Sequence, residues 1–341
     1  MPMLSIQVTP CKWFQFDYFH AWLISNVVDS TNYYLENNTS GGTEREYRPH
    51  NKFMAANMFT FTPIKYISFA FGNSIVYAER NVQAAYFIPF AFYKSLDHLL
   101  TKGVSIENQN SQAFATLTVR PVDHLKLYGS FYLDEFKFDR LKKSKPQRNP
   151  ISYLVGFDWS GWPVKGLSLK GEFMRSYIAC YTHSIDVLTW KSNSYEMGHY
   201  MGDNAQSIFL EISYRPIRGM VIKLSYTDDT KYNAYSYLRA YYDASGKKVT
   251  DGGIGETISQ KPFNKAIFRN SVIALDGIYE VHPNMYLRIN LTYNNARGYD
   301  NTTASIKSEV TGTAQDYLNM YAPVYWQGKN FTAMAGFSFG F

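Results

Sequence analysis

Residues 120–134 read Arg120-Pro121-Val122-Asp123-His124-Leu125-Lys126-Leu127-Tyr128-Gly129-Ser130-Phe131-Tyr132-Leu133-Asp134. After the proline the side chains alternate. Leu125, Leu127, Gly129, Phe131 and Leu133 share one face; Lys126, Tyr128, Ser130, Tyr132 and Asp134 share the other. A period of two is the signature of a β-strand with unlike faces. The proline ahead of it cannot donate to a strand ladder and presets φ for a tight turn.

The same unit recurs along the chain. Thr9-Pro10, Thr62-Pro63, Trp162-Pro163, Arg215-Pro216 and His282-Pro283 each stand between alternating segments. After Pro163, Leu167, Leu169 and Phe173 oppose Ser168, Lys170 and Glu172. After Pro216, Ile222, Leu224 and Tyr226 oppose Lys223, Ser225 and Thr227; after Pro283, Leu287, Ile289 and Leu291 oppose Arg288, Asn290 and Thr292. Charges at mid-strand are costly toward lipid and comfortable in a wet lumen. Much longer polar connections lie between the proline turns, near 25–51, 78–111, 137–150, 177–205, 230–269 and 295–330. Short turns alternating strictly with long loops is the pattern of outer-membrane barrels, with turns facing the periplasm and loops facing outward. A soluble antiparallel sheet with one buried face would share the alternation. Strands of roughly 9–11 residues, the length a tilted membrane strand needs, favour the barrel.

Composition agrees. Aromatics make up 17% of the 341 residues, with 29 Tyr and 24 Phe, yet mean hydropathy is -0.30. The longest apolar run, Ala84 to Tyr93, is broken by Pro89 and falls well short of the ~20 residues of a membrane helix. The net charge of +6 is spread out, and its densest cluster, Lys137 to Lys145 with Arg148, reads as a solvated loop, so nucleic acid is not an expected partner. Cys11 and Cys180 fall at opposite barrel ends and are not expected to pair.

The expected fold is therefore a single all-β domain over residues 1–341, an antiparallel transmembrane β-barrel in a bacterial outer membrane. About thirteen strands are visible: two around each proline turn, then a terminal one. That last strand, Phe331 to Phe341, places Phe331, Ala333, Ala335, Phe337, Phe339 and Phe341 on one face. Phe337, Phe339 and Phe341 look like the C-terminal signal read by barrel-assembly machinery. The first strand descends into a periplasmic turn at Pro10, so an odd number of strands, and a signal peptide, are expected to precede Met1.

Several segments resemble the capsule-assembly Wzi family of outer-membrane proteins, in particular its Bacteroidetes branch. They are Asn57 to Pro63, Ser68 to Tyr77, Tyr86 to Phe90 with Lys94 to His98, Asn110-Ser111-Gln112, and Leu127 to Glu135. The resemblance is clearest over residues 50–175. It implies an eighteen-stranded barrel, hence about five strands before Met1, that acts as a lectin for capsular or other surface polysaccharide. No residue role transfers with it.

The long connections hold the candidate sites. Residues 84–100 read as a helical insertion broken at Pro89, able to fold into the lumen and narrow it, or to pack among the outer loops. The connection 230–269 carries Tyr232, Tyr235, Tyr237, Arg239, Tyr241 and Tyr242 near Asp228, Asp229 and Asp243. Aromatic faces stack on sugar rings while Arg and carboxylates bind hydroxyls, so these residues are the carbohydrate-contact candidates; Trp190 and Trp326 are weaker ones. Tyrosines near strand ends also form interfacial girdles. The histidines are scattered: His98 follows Asp97, His124 follows Asp123, and His183, Asp186 and His199 share one loop. No HExxH, GxSxG, P-loop or CxxC is present, so neither catalysis, metal nor cofactor is expected. A porin-like or hydrophobic-solute transporter is the alternative: a plugged lumen favours the lectin, an open polar pore the transporter; a third reading, an outer-membrane hydrolase, needs an Asp–His or Ser–His cluster at the outer rim.

Overall fold

The computed structural model describes residues 2–37, 43–78, 81–100, 109–135, 137–142, 146–236, 241–242, 248–250 and 254–340. Thirteen strands form one antiparallel sheet in which each pairs with its neighbours in sequence order. They are β1 (Met3–Cys11), β2 (Phe14–Leu23), β3 (Lys52–Ile64), β4 (Ile67–Tyr77), β5 (Gln109–Val122), β6 (Leu125–Leu133) and β7 (Ile151–Ser160), then β8 (Leu167–Ser176), β9 (Ala205–Tyr214), β10 (Met220–Tyr232), β11 (Ala266–His282), β12 (Met285–Gly298) and β13 (Gly328–Phe339). The thirteen strands expected from the proline turns are these thirteen. β1 and β13 are the two edges, and they do not pair with each other. The sheet is open, so neither a closed barrel nor a count of eighteen strands is observed. Among the described residues no helix is long and apolar enough to cross a membrane.

The register carries the two faces across the whole sheet. Phe59 pairs with Phe71, Phe71 with Ala115, Ala115 with Phe131, and so on through Val155, Leu210, Leu224, Ile273 and Leu291 on one face. Large side chains on this face stand exposed, among them Phe71, Leu117, Phe131, Ile212, Leu224, Ile289 and Phe337. The other face carries the mid-strand charges, where Lys170 meets Glu172 at 2.8 Å and Tyr128 Oη donates to Glu172 Oε1 at 2.5 Å. A soluble sheet hides its greasy face; this sheet leaves most of its greasy face exposed.

The prolines act differently from expectation at three of the six turns. Pro10, Pro63 and Pro121 lie inside the last residues of β1, β3 and β5, not in the turn centre. The register slips there, between Val8 and Cys11, Phe61 and Ile64, and Val119 and Val122. Each slip is a bulge, which leaves one residue outside the ladder, and a residue with no N–H suits that position. The turns themselves are pairs such as Lys65-Tyr66 and Asp123-His124, and His124 takes a positive φ of 73°. Pro163, Pro216 and Pro283 do lie in the connections. Strands also run further into two loops than the alternation suggested: β10 reaches Tyr232, β11 begins at Ala266, and β12 continues to Gly298. Polar side chains such as Arg269, Asn270 and Asn295 hide this extension because the ladder continues after the apolar rhythm has stopped.

The insertion is helical, as expected, with a 3-10 turn at Ala84–Phe87 and helix α1 at Tyr93–Leu100. Its place is a correction: it lies on the apolar face, not against the polar one. Tyr86 and Tyr93 are fully buried against Phe16, Tyr18, Phe53, Ile75 and Tyr77, all apolar-face residues by register. The reason is a polar notch in that face. Asn57 pairs with Asn73 across β3 and β4. Asn57 Nδ2 donates to the carbonyls of Pro89 (2.9 Å) and Ala91 (2.8 Å), and Asn73 Oδ1 accepts from Tyr93 N at 2.8 Å. Buried amides need such partners, and the insertion supplies them. Phe87, Ile88, Phe90 and Phe92 remain exposed on its outer side.

Replacing Asn57 by Ala removes both of those donations. We expect N57A to keep its β-sheet circular dichroism while chymotryptic cleavage within residues 84–93 speeds up about tenfold, the effect of ~1.4 kcal/mol on a local opening equilibrium. Cleavage at the wild-type rate would show that the notch does not hold the insertion.

Candidate functional site

The connection between β8 and β9, residues 177–204, lies on the polar face and is anchored to strands far apart in the sheet. Cys180, Tyr181 and Trp190 are buried with Ala21, Leu23, Met54, Ala56 and Val76 of β2, β3 and β4. Lys52 Nζ donates to Thr189 O at 2.7 Å, Asn110 Nδ2 to Leu188 O at 3.2 Å, and Tyr181 N to Asp134 Oδ2 at 3.0 Å. Toward β10, Lys231 pairs with Asp203 at 2.8 Å, and Ser176 Oγ donates to Gly202 O at 2.5 Å. Each buried polar anchor is matched, and each large apolar side chain removed from water adds about 1.5–3 kcal/mol. This loop is a plug over the end of the polar face remote from the proline turns.

A second layer covers β10–β13. Glu309 is its hub, accepting from Asn233, from Asn301 at 3.0 Å and from Ser305 N at 2.6 Å. Burial alone would raise its pKa, but those bonds hold it below the usual carboxylate range. Thr257 meets Ser308 at 2.6 Å and Lys265 Nζ reaches Asn301 Oδ1 at 2.5 Å, so the connections 233–265 and 299–327 interlock. A helix at Ala314–Tyr321 (α2), capped by Thr313 and Asp316, rests on β11 and β12.

Between plug and insertion, at the outer ends of β5 and β6, lies a cavity of about 790 Å³. Lys94 and His98 from α1, Asn110 and Asp134 from the strand ends, Arg140 and His183 contribute to its lining. It has the size of a small-ligand pocket, with an unusually polar lining. Nothing in the sequence pattern marked it, because its walls come from four connections.

The residues singled out from sequence are not gathered in one place. Trp190 is 7% exposed, in contact with Tyr132 and Tyr181 inside the plug. Tyr232 meets Phe263 edge to face, and Tyr235 packs beside Ile178 and Ile258 and bridges to Glu309. Tyr241 and Tyr242 pair with Thr250 and Lys248 in a short ribbon. Tyr237, Arg239 and Phe341 lie outside the described residues, as do Asp243 and the basic residues of 143–145. Phe337 and Phe339 are exposed on the apolar face of β13. Trp326 closes a 3-10 turn and accepts from Asn294 through its carbonyl. Cys11 and Cys180 are both free thiols.

The histidines take separate roles. His124 Nδ1 bonds Ser160 O at 2.9 Å at a turn, and His183 Nδ1 accepts from Ile185 N. His199 stacks on Tyr200 with ring centroids 4.2 Å apart and accepts from Met201 N. Among the described residues no group of three or more His, Cys, Asp or Glu is placed to hold a metal.

Several groups in and under the plug have shifted protonation, His199, Asp134 and Glu196 among them; burial raises the Glu196 carboxyl. Burial lowers the His199 pKa to about 4, partly countered by Glu172, and burial raises the Asp134 carboxyl to about 7. Their pH effects oppose. His199 is neutral in the fold, so its contribution is intact above its ordinary value of 6.5 and is lost as pH falls toward 4. Asp134 stabilises the protonated fold at low pH, and that contribution is lost as pH rises from 3.8 through 7. We expect D134N to remove the Asp134 share of the second effect, leaving Glu196 to oppose His199, so the plug gains more stability between pH 4 and 6.5 than in wild type. Alkylation of the buried Cys180 thiol across that range, divided at each pH by the rate for a free cysteine so that the rising thiolate fraction cancels, reads the result, and a ratio that falls no more steeply with pH in D134N than in wild type would contradict the assignment.

No protein-family model matches the chain, and no curated protein matches it in sequence. Solved structures do resemble it. One is Wzi, an outer-membrane protein involved in group 1 capsule assembly in Escherichia coli and a carbohydrate-binding β-barrel: 13% identity, TM-score 0.48, covering 86% of this chain and 56% of that one. Another is OccD3 (OpdP) of Pseudomonas aeruginosa, at 10% identity and TM-score 0.44, covering 98% of this chain and 66% of that one. A Pseudomonas aeruginosa FadL homologue follows at 9% identity and TM-score 0.35, covering 98% and 74%. The chain thus spans just over half of the Wzi structure's length. Membership of any one family does not follow from likenesses this distant.

Proposed function

We propose that this chain forms wall and plug of an outer-membrane β-barrel that binds surface or capsular polysaccharide at its outward end, without catalysis. The observation that carries the reading is the inverted sheet with a plug on its polar face. Exposed rows of Phe, Leu and Ile call for a hydrocarbon solvent, since leaving them in water forfeits about 25 cal/mol per Å². Strands whose backbone groups are paired in the ladder can enter lipid. The polar face is then the lumen, and the loop 177–204 lies across it. A lumen closed by Lys52, Asn110, Asp134 and Lys231 suits a binding protein better than a channel. Barrel-assembly machinery and lipid are the other partners this reading requires.

The alternative is a porin-like or hydrophobic-solute transporter, and one observation favours it. The insertion 84–100 makes a break in the apolar face around Asn57 and Asn73, where a solute from the lipid side would meet polar groups.

The purified protein in planar bilayers should conduct negligibly and should bind glycans on an array. Replacing residues 182–198 by a short Gly-Ser linker should raise conductance at least about tenfold, the effect of removing a hydrogen-bonded obstruction. Cells lacking the gene should lose surface polysaccharide. Strong conductance by the intact protein, with no glycan affinity, would instead establish the transporter.

A further inference from the structure

The cavity at the outer ends of β5 and β6 contains an arginine whose hydrogen-bonding capacity is mostly unused. Arg140 sits in a 3-10 turn at Phe138–Leu141, and its side chain is only 6% exposed. Its Nη2 donates to Glu135 Oε2 at 3.0 Å. Nε and Nη1 are buried and have no partner in the described structure. A guanidinium offers five N–H donors in a planar fork, and leaving them dry and unpaired is costly. Glu135 cannot make up the deficit, because Lys137 also binds it, at 2.9 Å through the other oxygen. Asp134 is committed to the Tyr181 amide, and Lys94 to Asp97 at 3.3 Å. The free donors therefore lack an anion, at the border of a space large enough for one or two sugar rings.

We infer that Arg140 receives the carboxylate of an acidic sugar, a uronic-acid type of residue, in this cavity. Nε shares one edge of the fork with Nη2 and Nη1 shares the other, so a carboxylate bound along either edge gains one free donor and shares Nη2 with Glu135, a planar geometry lysine cannot supply. His98, His183 and Asn110 also line the space. The inference rests on the polysaccharide-binding reading above and narrows it to a glycan class.

The test is isothermal titration of the detergent-solubilised protein with a tetra-uronide, its methyl ester, a neutral oligosaccharide and mannose 6-phosphate. Wild type should bind the uronide and lose at least about tenfold in affinity for the ester, a change of ~1.4 kcal/mol. R140Q should lose the same factor for the uronide, with R140K between the two, while heat-modifiable electrophoretic mobility stays as in wild type. Equal binding of uronide and ester by wild type, or unchanged uronide affinity in R140Q, overturns the inference, and the ester arm decides the matter even if R140Q fails to fold. Preference for the sugar phosphate overturns the carboxylate assignment. Binding of the neutral glycan but not the uronide sinks this inference alone; binding of no glycan, on the array or here, sinks the polysaccharide reading itself.

Discussion

The structure depends on the pairing of every strand with its sequence neighbour while the apolar rows are left uncovered, except where the insertion 84–100 seats on β2, β3 and β4. Backbone N–H and C=O groups inside the sheet are satisfied by the ladder, so the wall can face a medium that forms no hydrogen bonds. The exposed rows of Phe, Leu and Ile then stop being a liability and become the surface by which the protein is solvated. Mid-strand charges, including Lys170, Glu172, Glu211 and Asp276, stand on the opposite face by the period of two. A slip of one residue would exchange the faces. The bulges at Pro10, Pro63 and Pro121 occur at one end of the ladder, clear of the long regular stretches of register.

Both faces are modified by a loop, in opposite ways. The insertion 84–100 is chiefly apolar, and it seats on the apolar face because Asn57 and Asn73 offer it amide partners there. The connection 177–204 carries both anchors and a greasy interior, and it seats on the polar face, where Lys52, Asn110, Asp134 and Lys231 meet its backbone and Asp203. Around the outer ends of β5 and β6 the two loops approach each other, and the cavity that holds Arg140 lies between them. The candidate site is thus a product of loop placement on a regular wall, a division of labour common where a rigid scaffold positions functional loops.

The sequence by itself determined the strand count, the antiparallel neighbour order, the side of each strand that is greasy and the asymmetry between short turns and long loops. These properties are local: a period of two over ten residues, or a proline that cannot donate, acts within a single hairpin. It also announced the helical insertion, through the apolar run of 84–93. Only the tertiary structure decided where that insertion lies, since its partners Asn57 and Asn73 are 32 and 20 residues away from Pro89 and Tyr93. In the same way Trp190 reads as a free aromatic in a loop, and becomes a buried contact only when Tyr132 and Tyr181 come together around it. Arg140 was one charge within a basic cluster until folding buried it beside a single carboxylate shared with Lys137. Burial and the pairing of polar atoms are sums over distant segments, and no short window of sequence contains them.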